Sequence, residues 1–155
     1  MIYPILIYPD SHLRQVCKPV QEITSEFKQL AEDMAETMYA AEGLGLAAPQ
    51  VGVMASLLVI DCVITQFTQL RPQPRPMVLF NPTIIWASSK MSVHDEGCLS
   101  LPNRRVKVAR PTEVLVRWVG LDGIAQEELF SGLWATCIQH EIDHLAGKLI
   151  IDYEP

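Results

Sequence analysis

The segment His140-Glu141-Ile142-Asp143-His144 constrains the fold of this chain more than any other part of its sequence. Histidines at this spacing lie about one turn, or roughly 6 Å, apart on one face of a helix, where both imidazoles can reach a single metal ion. The glutamate beside the first histidine lies on the same broad face and can approach a water molecule there. The pattern therefore predicts a metal-binding helix close to the C-terminus.

The residues around the motif favour a partly buried helix. Ser131 is a suitable N-cap for the segment LWATCIQHEIDHLAG. Leu133, Cys137 and Leu145 place an apolar stripe near the histidine face. This stripe argues against the alternative, which is a pair of surface histidines on a solvated helix.

A tetrahedral catalytic metal site usually has a third protein ligand, and the residues after His144 do not supply one. Thermolysin-like metallopeptidases take a glutamate much further along the chain, and this chain ends too soon for that. In the metzincin pattern a third histidine follows, at the position that Ile150 occupies here. We therefore expect the third ligand upstream of the helix.

Few upstream residues qualify as that ligand. Cys137 is separated from His144 by a helical rise of about 10.5 Å, which its short side chain can barely bridge, so we interpret it as a wall or core residue. Cys98, in the stretch HDEGCLSLPN, is a plausible loop-borne ligand, although a lone cysteine can equally be a small buried hydrophobe. His12 and His94 are the other histidines of the chain.

Composition limits the classes of function. The chain has 155 residues, a formal net charge of -6 and a mean hydropathy of +0.17, from which we expect one domain over residues 1–155. The acidic balance argues against a nucleic-acid partner. A signal peptide is not expected, because the short apolar run at the N-terminus is not preceded by basic residues. A membrane span is not expected either, because no apolar run is long enough to cross a bilayer. The four cysteines show no paired spacing and are read as thiols of a cytoplasmic protein.

Residues 24–42 have the pattern of an amphipathic helix, with Thr24 or Ser25 as N-cap and Gly43 closing its C-terminus. The apolar positions at helical spacing are Phe27, Leu30, Ala31, Met34, Met38 and Ala41. We expect this stripe, including both methionines, to pack in the core.

Five segments have the composition or the alternation of strands: SLLVID, MVLFNP, TIIWAS, RRVKVA and EVLVRWVG. Asn81-Pro82 is expected to split the second from the third, and Asp122-Gly123 indicates a turn after the fifth. The proline-rich stretch over 65–77 indicates an exposed loop. Helix, mostly antiparallel strands and helix, in that order, predict an α+β domain.

The stretch GLGLAAPQVG over 43–52 is rich in glycine but lacks the Lys-Ser/Thr ending of a phosphate-binding loop. Its small residues can let a peptide backbone approach closely, and Gln50 adds one polar side chain. The alternative is a simple helix C-cap followed by a turn.

Together, three stretches resemble the motifs of the peptide deformylases. Residues 43–50 match Gly-x-Gly-x-Ala-Ala-x-Gln, residues 96–100 match Glu-Gly-Cys-Leu-Ser, and residues 139–144 match Gln-His-Glu-x-Asp-His. The similarity extends from LIYPDSHLRQVCKPV to IIDYEP. It implies a peptide deformylase-like fold, with mostly antiparallel strands around a central metal-binding helix, and removal of the N-formyl group from the initiator methionine of nascent chains, with release of formate.

The resemblance also implies a metal site and its catalytic base. Cys98, His140 and His144 would hold one divalent ion, natively Fe(II), with Ni, Co or Zn able to replace it. Glu141 would act as general base and then as general acid.

The same resemblance implies how the substrate is held. The Gln50 side-chain amide and the Leu99 backbone N–H would face the developing oxyanion. Backbone groups of Gly45 and Gly97 would hold the peptide as an added strand. The methionine pocket would be lined by Leu44, Leu133 and Cys137.

Two positions depart from the family pattern. His94 stands where bacterial relatives often have an aliphatic residue and could polarise the pocket rim, the alternative being an exposed histidine without a role. Asp152-Tyr153 is followed only by Glu154-Pro155, whereas many bacterial members continue into a basic helix associated with ribosome docking. We expect activity to be retained, while docking on the ribosome by that route is in question.

Two other functions are compatible with part of the pattern. A small metallopeptidase would need room for a chain on both sides of the scissile bond and a nitrogen or oxygen ligand in place of Cys98. A non-catalytic peptide-binding module would keep only a structural metal. Glu141 argues against the module, because a closed structural site has no need of a carboxylate beside its water.

Overall fold

The structure is a computed structural model that describes residues 1–62 and 75–155. Its helices and strands, in chain order, are α1 (Ser25–Ala40), β1 (Gly45–Ala47), β2 (Leu57–Ile60), β3 (Met77–Ala87), β4 (Met91–Cys98), β5 (Leu101–Pro111), β6 (Glu113–Val119), β7 (Ala125–Ser131) and α2 (Gly132–Leu145). Short 3-10 helices span Ser11–Arg14, Ala48–Val51 and Ile150–Tyr153. Most of the loop predicted over 65–77 lies outside the described residues.

The described strands form two antiparallel sheets. One has five strands in the order β1-β2-β3-β6-β7, and the other pairs β4 with β5. The turn predicted at Asp122-Gly123 joins β6 to β7, with Gly123 in the left-handed region at φ 79°. The predicted α+β class with mostly antiparallel strands is therefore confirmed.

Helix α1 follows its sequence pattern except at its end. The Thr24 side chain caps it by accepting a hydrogen bond from the Phe27 N–H at 3.3 Å, and Met34 and Met38 are fully buried. Glu42, not the predicted Gly43, takes the left-handed conformation after the helix, at φ 58°. Ala41 is the C-cap residue, so the left-handed residue that ends the helix comes one position earlier than expected.

The prediction that Asn81-Pro82 separates two strands is wrong, because β3 is continuous through them. Asn81 adopts φ 52°, and the register with β6 shifts between Phe80 and Thr83. The Asn81 side chain satisfies the backbone of Val20 on both sides, accepting from its N–H and donating to its carbonyl at 2.7 Å each. Asparagine tolerates the left-handed region, and proline is accepted at a bulge, so the strand bends without ending.

Helices cover both faces of the five-stranded sheet. Side chains of β2 alternate between them: Leu57 and Val59 pack in the cluster that contains α1, while Leu58 and Ile60 pack in the cluster that contains α2. Helix α2 thus lies against the large sheet and also contacts β5 of the small one. Among the described residues, no helix has both the length and the apolar character that crossing a membrane requires.

Candidate metal centre

The structure brings the three ligand candidates of the sequence together. The ligand atoms of Cys98, His140 and His144 all lie within 4.8 Å of one another. The Cys98 Sγ lies 3.4 Å from the His144 Nε2. Cys98 ends strand β4 and pairs with Leu101 across a tight connection, so it is a strand residue and not the loop residue expected.

Helix α2 presents both histidines, and it begins differently from the prediction. Ser131 occupies the N-cap position, but its side chain makes no capping hydrogen bond. The helix is fixed mainly by burial of the face that carries Ala135, Ile138 and Leu145. The histidine face then points to the space between the two sheets.

Two buried polar atoms at this centre have no hydrogen-bond partner among the described residues. They are Glu141 Oε1 and His144 Nδ1. Buried polar atoms are normally paired, and exceptions are concentrated where an ion or a functional water belongs. A thiol and two imidazoles that converge beside such a carboxylate form a donor set suited to a transition-metal ion.

Glu96 and Arg110 fix the orientation of His140. The Glu96 Oε1 lies 3.0 Å from the His140 Nδ1, and Arg110 donates to both carboxylate oxygens of Glu96, at 2.7 and 2.9 Å. Burial alone would raise the pKa of Glu96, but the hydrogen bonds to His140 and Arg110 lower it below its ordinary value. The ionised carboxylate of Glu96 accepts a hydrogen bond from the Nδ1–H of His140. The Nε2 of His140 is then unprotonated and free to coordinate a metal.

The same arginine ties the centre to the C-terminal segment. Arg110 donates to Asp143 at 2.9 Å, the Tyr153 hydroxyl donates to Asp143 at 2.7 Å, and the guanidinium lies 4.9 Å from the centre of the Tyr153 ring. Sequence reasoning missed this network. Glu96 and Asp143 lie inside the recognised motifs and could have been singled out there, whereas nothing marked Arg110 within its strand.

Glu141 is buried, with 5% of its surface exposed. This burial raises its pKa to about 7, against the opposing effect of His140 and Arg110. A Cβ atom on Gly45 would lie 2.6 Å from the Glu141 Oε2. Position 45 therefore has to be glycine to make room for this carboxylate, which is a different reason from the peptide approach expected of the glycine-rich stretch.

Gln50 is also buried, and its side-chain amide faces Cys98. The Ala47 N–H donates to the Gln50 Oε1 at 2.9 Å, and the Gln50 Nε2 lies 3.1 Å from the Ser100 Oγ and 3.8 Å from the Cys98 Sγ. Both oxyanion candidates of the sequence, Gln50 and Leu99, line the same cleft.

The cleft beside the metal centre has a volume of about 570 Å³. Every substrate residue proposed from the sequence lines it: Leu44, Gly45, His94, Gly97, Leu133 and Cys137. His94 is exposed at the rim, with its Nε2 3.1 Å from the Ser92 Oγ. The apolar wall and the polar rim suit a peptide with one apolar side chain.

Comparison with known proteins gives a consistent result. The polypeptide deformylase family profile matches residues 2–154. A peptide deformylase of Bradyrhizobium diazoefficiens is 48% identical over 149 residues, which cover 96% of this chain and 85% of the relative. The crystal structure of a peptide deformylase from Legionella pneumophila superimposes with a TM-score of 0.92 at 39% identity, covering 100% of this chain and 87% of the other. A class I type b peptide deformylase from Acinetobacter baumannii, solved bound to Met-Ala-Ser, gives a TM-score of 0.91 at 32% identity, with 99% of both chains covered.

Proposed function

This chain belongs to the peptide deformylase family, and we propose that the residues assembled in its cleft are the ones that bind the metal, bind the peptide and catalyse the reaction. The resemblance seen in the three sequence motifs is confirmed. The protein is a metal-dependent hydrolase that removes the N-formyl group from nascent polypeptides. The observation that carries the assignment of residues is the convergence of Cys98, His140 and His144 beside the buried Glu141.

We propose Fe(II) as the native ion, with Ni, Co or Zn able to replace it. Imidazole and thiolate donors suit ions of this group, and they must be deprotonated to bind. When bound, the metal supplies Lewis-acid chemistry that polarises a carbonyl oxygen and makes water more acidic. This assignment is tested by reconstituting metal-free protein with each ion under anaerobic conditions and measuring formate release.

Glu141 moves the proton. Its carboxylate takes a proton from the attacking water and later gives one to the amine nitrogen of the departing peptide, so that formate and a free N-terminus result. A pKa of about 7, raised by burial, suits a group that must accept and donate near neutral pH. The room left by Gly45 lets the carboxylate stay beside the ligand histidines.

Gln50 and Leu99 stabilise the oxyanion that develops on the formyl oxygen. The Gln50 amide is fixed at both ends and faces the cleft, so it does not have to reorganise during the reaction. The Leu99 backbone N–H is proposed as the second donor, since this residue follows the ligand cysteine directly.

The apolar wall formed by Leu44, Leu133 and Cys137 receives the methionine side chain. Gly45 and Gly97 flank the cleft and hold the peptide backbone as an added strand. The Acinetobacter baumannii enzyme with bound Met-Ala-Ser supports a peptide of this kind as the occupant. His94 lies at the rim, where it polarises the entrance of the pocket and affects which side chains are accepted.

We propose a cytoplasmic location, because the substrate is the nascent chain and because all four cysteines are free thiols.

The function is tested by giving metal-loaded protein formyl-Met peptides and the same peptides without the formyl group. We expect formate from the first set and no cleavage of the second. The reverse result would support the alternative metallopeptidase. Glu141→Gln should abolish turnover while retaining bound metal, and unchanged turnover would refute the acid/base role.

A further inference from the structure

We propose that Ser100 is a positioning residue for deformylation, because its hydroxyl orients the side-chain amide of Gln50 toward the cleft. This inference rests on the proposed oxyanion role of Gln50. Ser100 lies directly after Leu99 and is fully buried. Its hydroxyl is therefore not exposed to solvent and does not contact the substrate directly.

The Gln50 amide is held at both ends. Its Oε1 accepts the Ala47 N–H at 2.9 Å, and its Nε2 donates to the Ser100 Oγ at 3.1 Å. Because a backbone N–H can only donate, the Ala47 N–H fixes which end of the amide is the oxygen, and a flipped amide would lose that bond. Ser100 is the partner that fixes the nitrogen end.

An amide nitrogen carries two N–H groups, and Ser100 determines which of them remains available. One is directed to the Ser100 Oγ. The other lies on the side of the ligand cysteine, where Nε2 is 3.8 Å from the Cys98 Sγ. The terminal torsion of glutamine is soft, so without the serine hydroxyl the amide plane can rotate, and the second N–H, which points to the Cys98 Sγ in this structure, no longer keeps one direction.

The backbones of both residues are held independently of this hydroxyl. The Leu6 N–H donates to the Gln50 carbonyl at 2.7 Å, and the Tyr8 N–H donates to the Ser100 carbonyl at 2.9 Å. One N-terminal segment thus holds both main chains in register. Removal of the hydroxyl alone should therefore disturb the direction of the amide and not the surrounding fold.

The experiment is a double-mutant cycle on full-length, metal-loaded enzyme with a formyl-Met tripeptide. Ser100→Ala should lower kcat about tenfold, less than the hundredfold or more that loss of a whole oxyanion donor costs, with KM unchanged. Ser100→Thr keeps the hydroxyl and should recover part of the loss. In the Gln50→Ala background, Ser100→Ala should have no further effect, because residues that act as a unit are not additive.

A second readout separates positioning from general stability. In the zinc-loaded protein, the Gln50 Nε2 proton that donates to Ser100 should exchange slowly with solvent, and in Ser100→Ala it should exchange faster and change its chemical shift. Ser88→Ala is the matched control. Ser88 lies directly after β3, and its hydroxyl accepts the N–H of Glu113, the first residue of β6, at 3.1 Å. Loss of this hydroxyl should lower Tm without changing kcat.

The outcomes distinguish the two claims. If Gln50→Ala leaves kcat unchanged, the proposed oxyanion role is wrong and the inference is overturned with it. If Gln50→Ala is strongly impaired while Ser100→Ala has wild-type kcat, or while the two effects multiply, only the role of Ser100 is overturned. Unchanged Gln50 side-chain signals in Ser100→Ala would overturn it as well.

Discussion

The Glu96 Oε1 lies 3.0 Å from the His140 Nδ1, with 6% and 11% of the two side chains exposed. A buried carboxylate at this distance selects the tautomer of the histidine and prevents its ring from turning. Only 4% of the Arg110 side chain is exposed. Its positive charge keeps Glu96 ionised and compensates the buried negative charge of that carboxylate. The orientation of His140 on α2 is thus determined by residues of β4 and β5, the two strands of the small sheet.

The first prediction follows from this contact. Glu96→Gln keeps the shape of the side chain but removes the charge, and it should weaken zinc affinity about tenfold to hundredfold. Competition with a chromophoric chelator measures the change. Asp95→Asn removes the same charge from the neighbouring, exposed position and should bind zinc as the wild type does. Equal affinities for Glu96→Gln and wild type would contradict the orienting role.

The second prediction tests Cys98 as a metal ligand. Cys98→Ala should lose most of its metal at neutral pH, because two imidazoles remain where three donors had converged. Cys137→Ala should keep a full equivalent, since Cys137 lines the cleft and is absent from the ligand cluster. Metal analysis after gel filtration measures the metal content of both variants. A full equivalent of metal in Cys98→Ala would reject Cys98 as a ligand.

The third prediction concerns Gly45. Alanine at this position would place its Cβ 2.6 Å from the Glu141 Oε2 and displace the carboxylate. A displacement of this size should lower kcat about a hundredfold, with metal still bound. Gly120→Ala is the control, because its Cβ would lie 3.1 Å from an oxygen of the exposed Asp122, which can move aside. Wild-type kcat in Gly45→Ala would show that Glu141 does not need this space.

Local sequence patterns were sufficient for both α-helices and for parts of β2, β3, β5 and β6, and the motifs contain the three residues that converge beside Glu141. Helix α2 carries both histidines at a spacing that places them on one face of a helix, and the resemblance of the motif pointed to Cys98 on a distant strand. The patterns failed where contacts between distant segments decide the outcome. Asn81 continues a strand because the backbone of Val20 is beside it, and no local rule contains that contact.

Arg110 shows the same limit within the site. It lies in a strand whose other arginines and lysine, Arg104, Arg105 and Lys107, are exposed. Its own side chain is buried because Glu96 and Asp143 meet it from another strand and from α2. Only the folded arrangement of these elements distinguishes it from its neighbours.

The fourth prediction tests the bulge in β3. Asn81→Ala removes two hydrogen bonds to Val20 and leaves at φ 52° an alanine, which tolerates the left-handed region less well than asparagine; together these should cost about 2 kcal/mol or more of unfolding free energy. Asn81→Gly removes the hydrogen bonds alone and should be the more stable of the two variants. Urea denaturation gives both values. A less stable glycine variant would mean that the backbone conformation is not the costly part.

The fifth prediction is a pH dependence at the C-terminal 3-10 helix. The Arg14 Nη1 donates to the Asp152 Oδ2 at 2.6 Å and holds the pKa of this carboxyl below its ordinary value, while partial burial opposes the shift. A carboxyl whose pKa is lower in the folded state stabilises the fold above its unfolded pKa, and this contribution is lost as pH falls through the folded pKa.

Asp152→Asn should therefore be less stable than the wild type at pH 7, by less than about 1 kcal/mol because both side chains are partly exposed. The difference should shrink below about pH 3.9, where the unfolded carboxyl becomes protonated, and vanish once the folded one is protonated too. Urea denaturation of both proteins from pH 7 to pH 2.5 measures it. Arg14→Met in the Asp152→Asn background should cost little more. A stability difference that does not change with pH would mean that the charge of Asp152 does not stabilise this end of the chain.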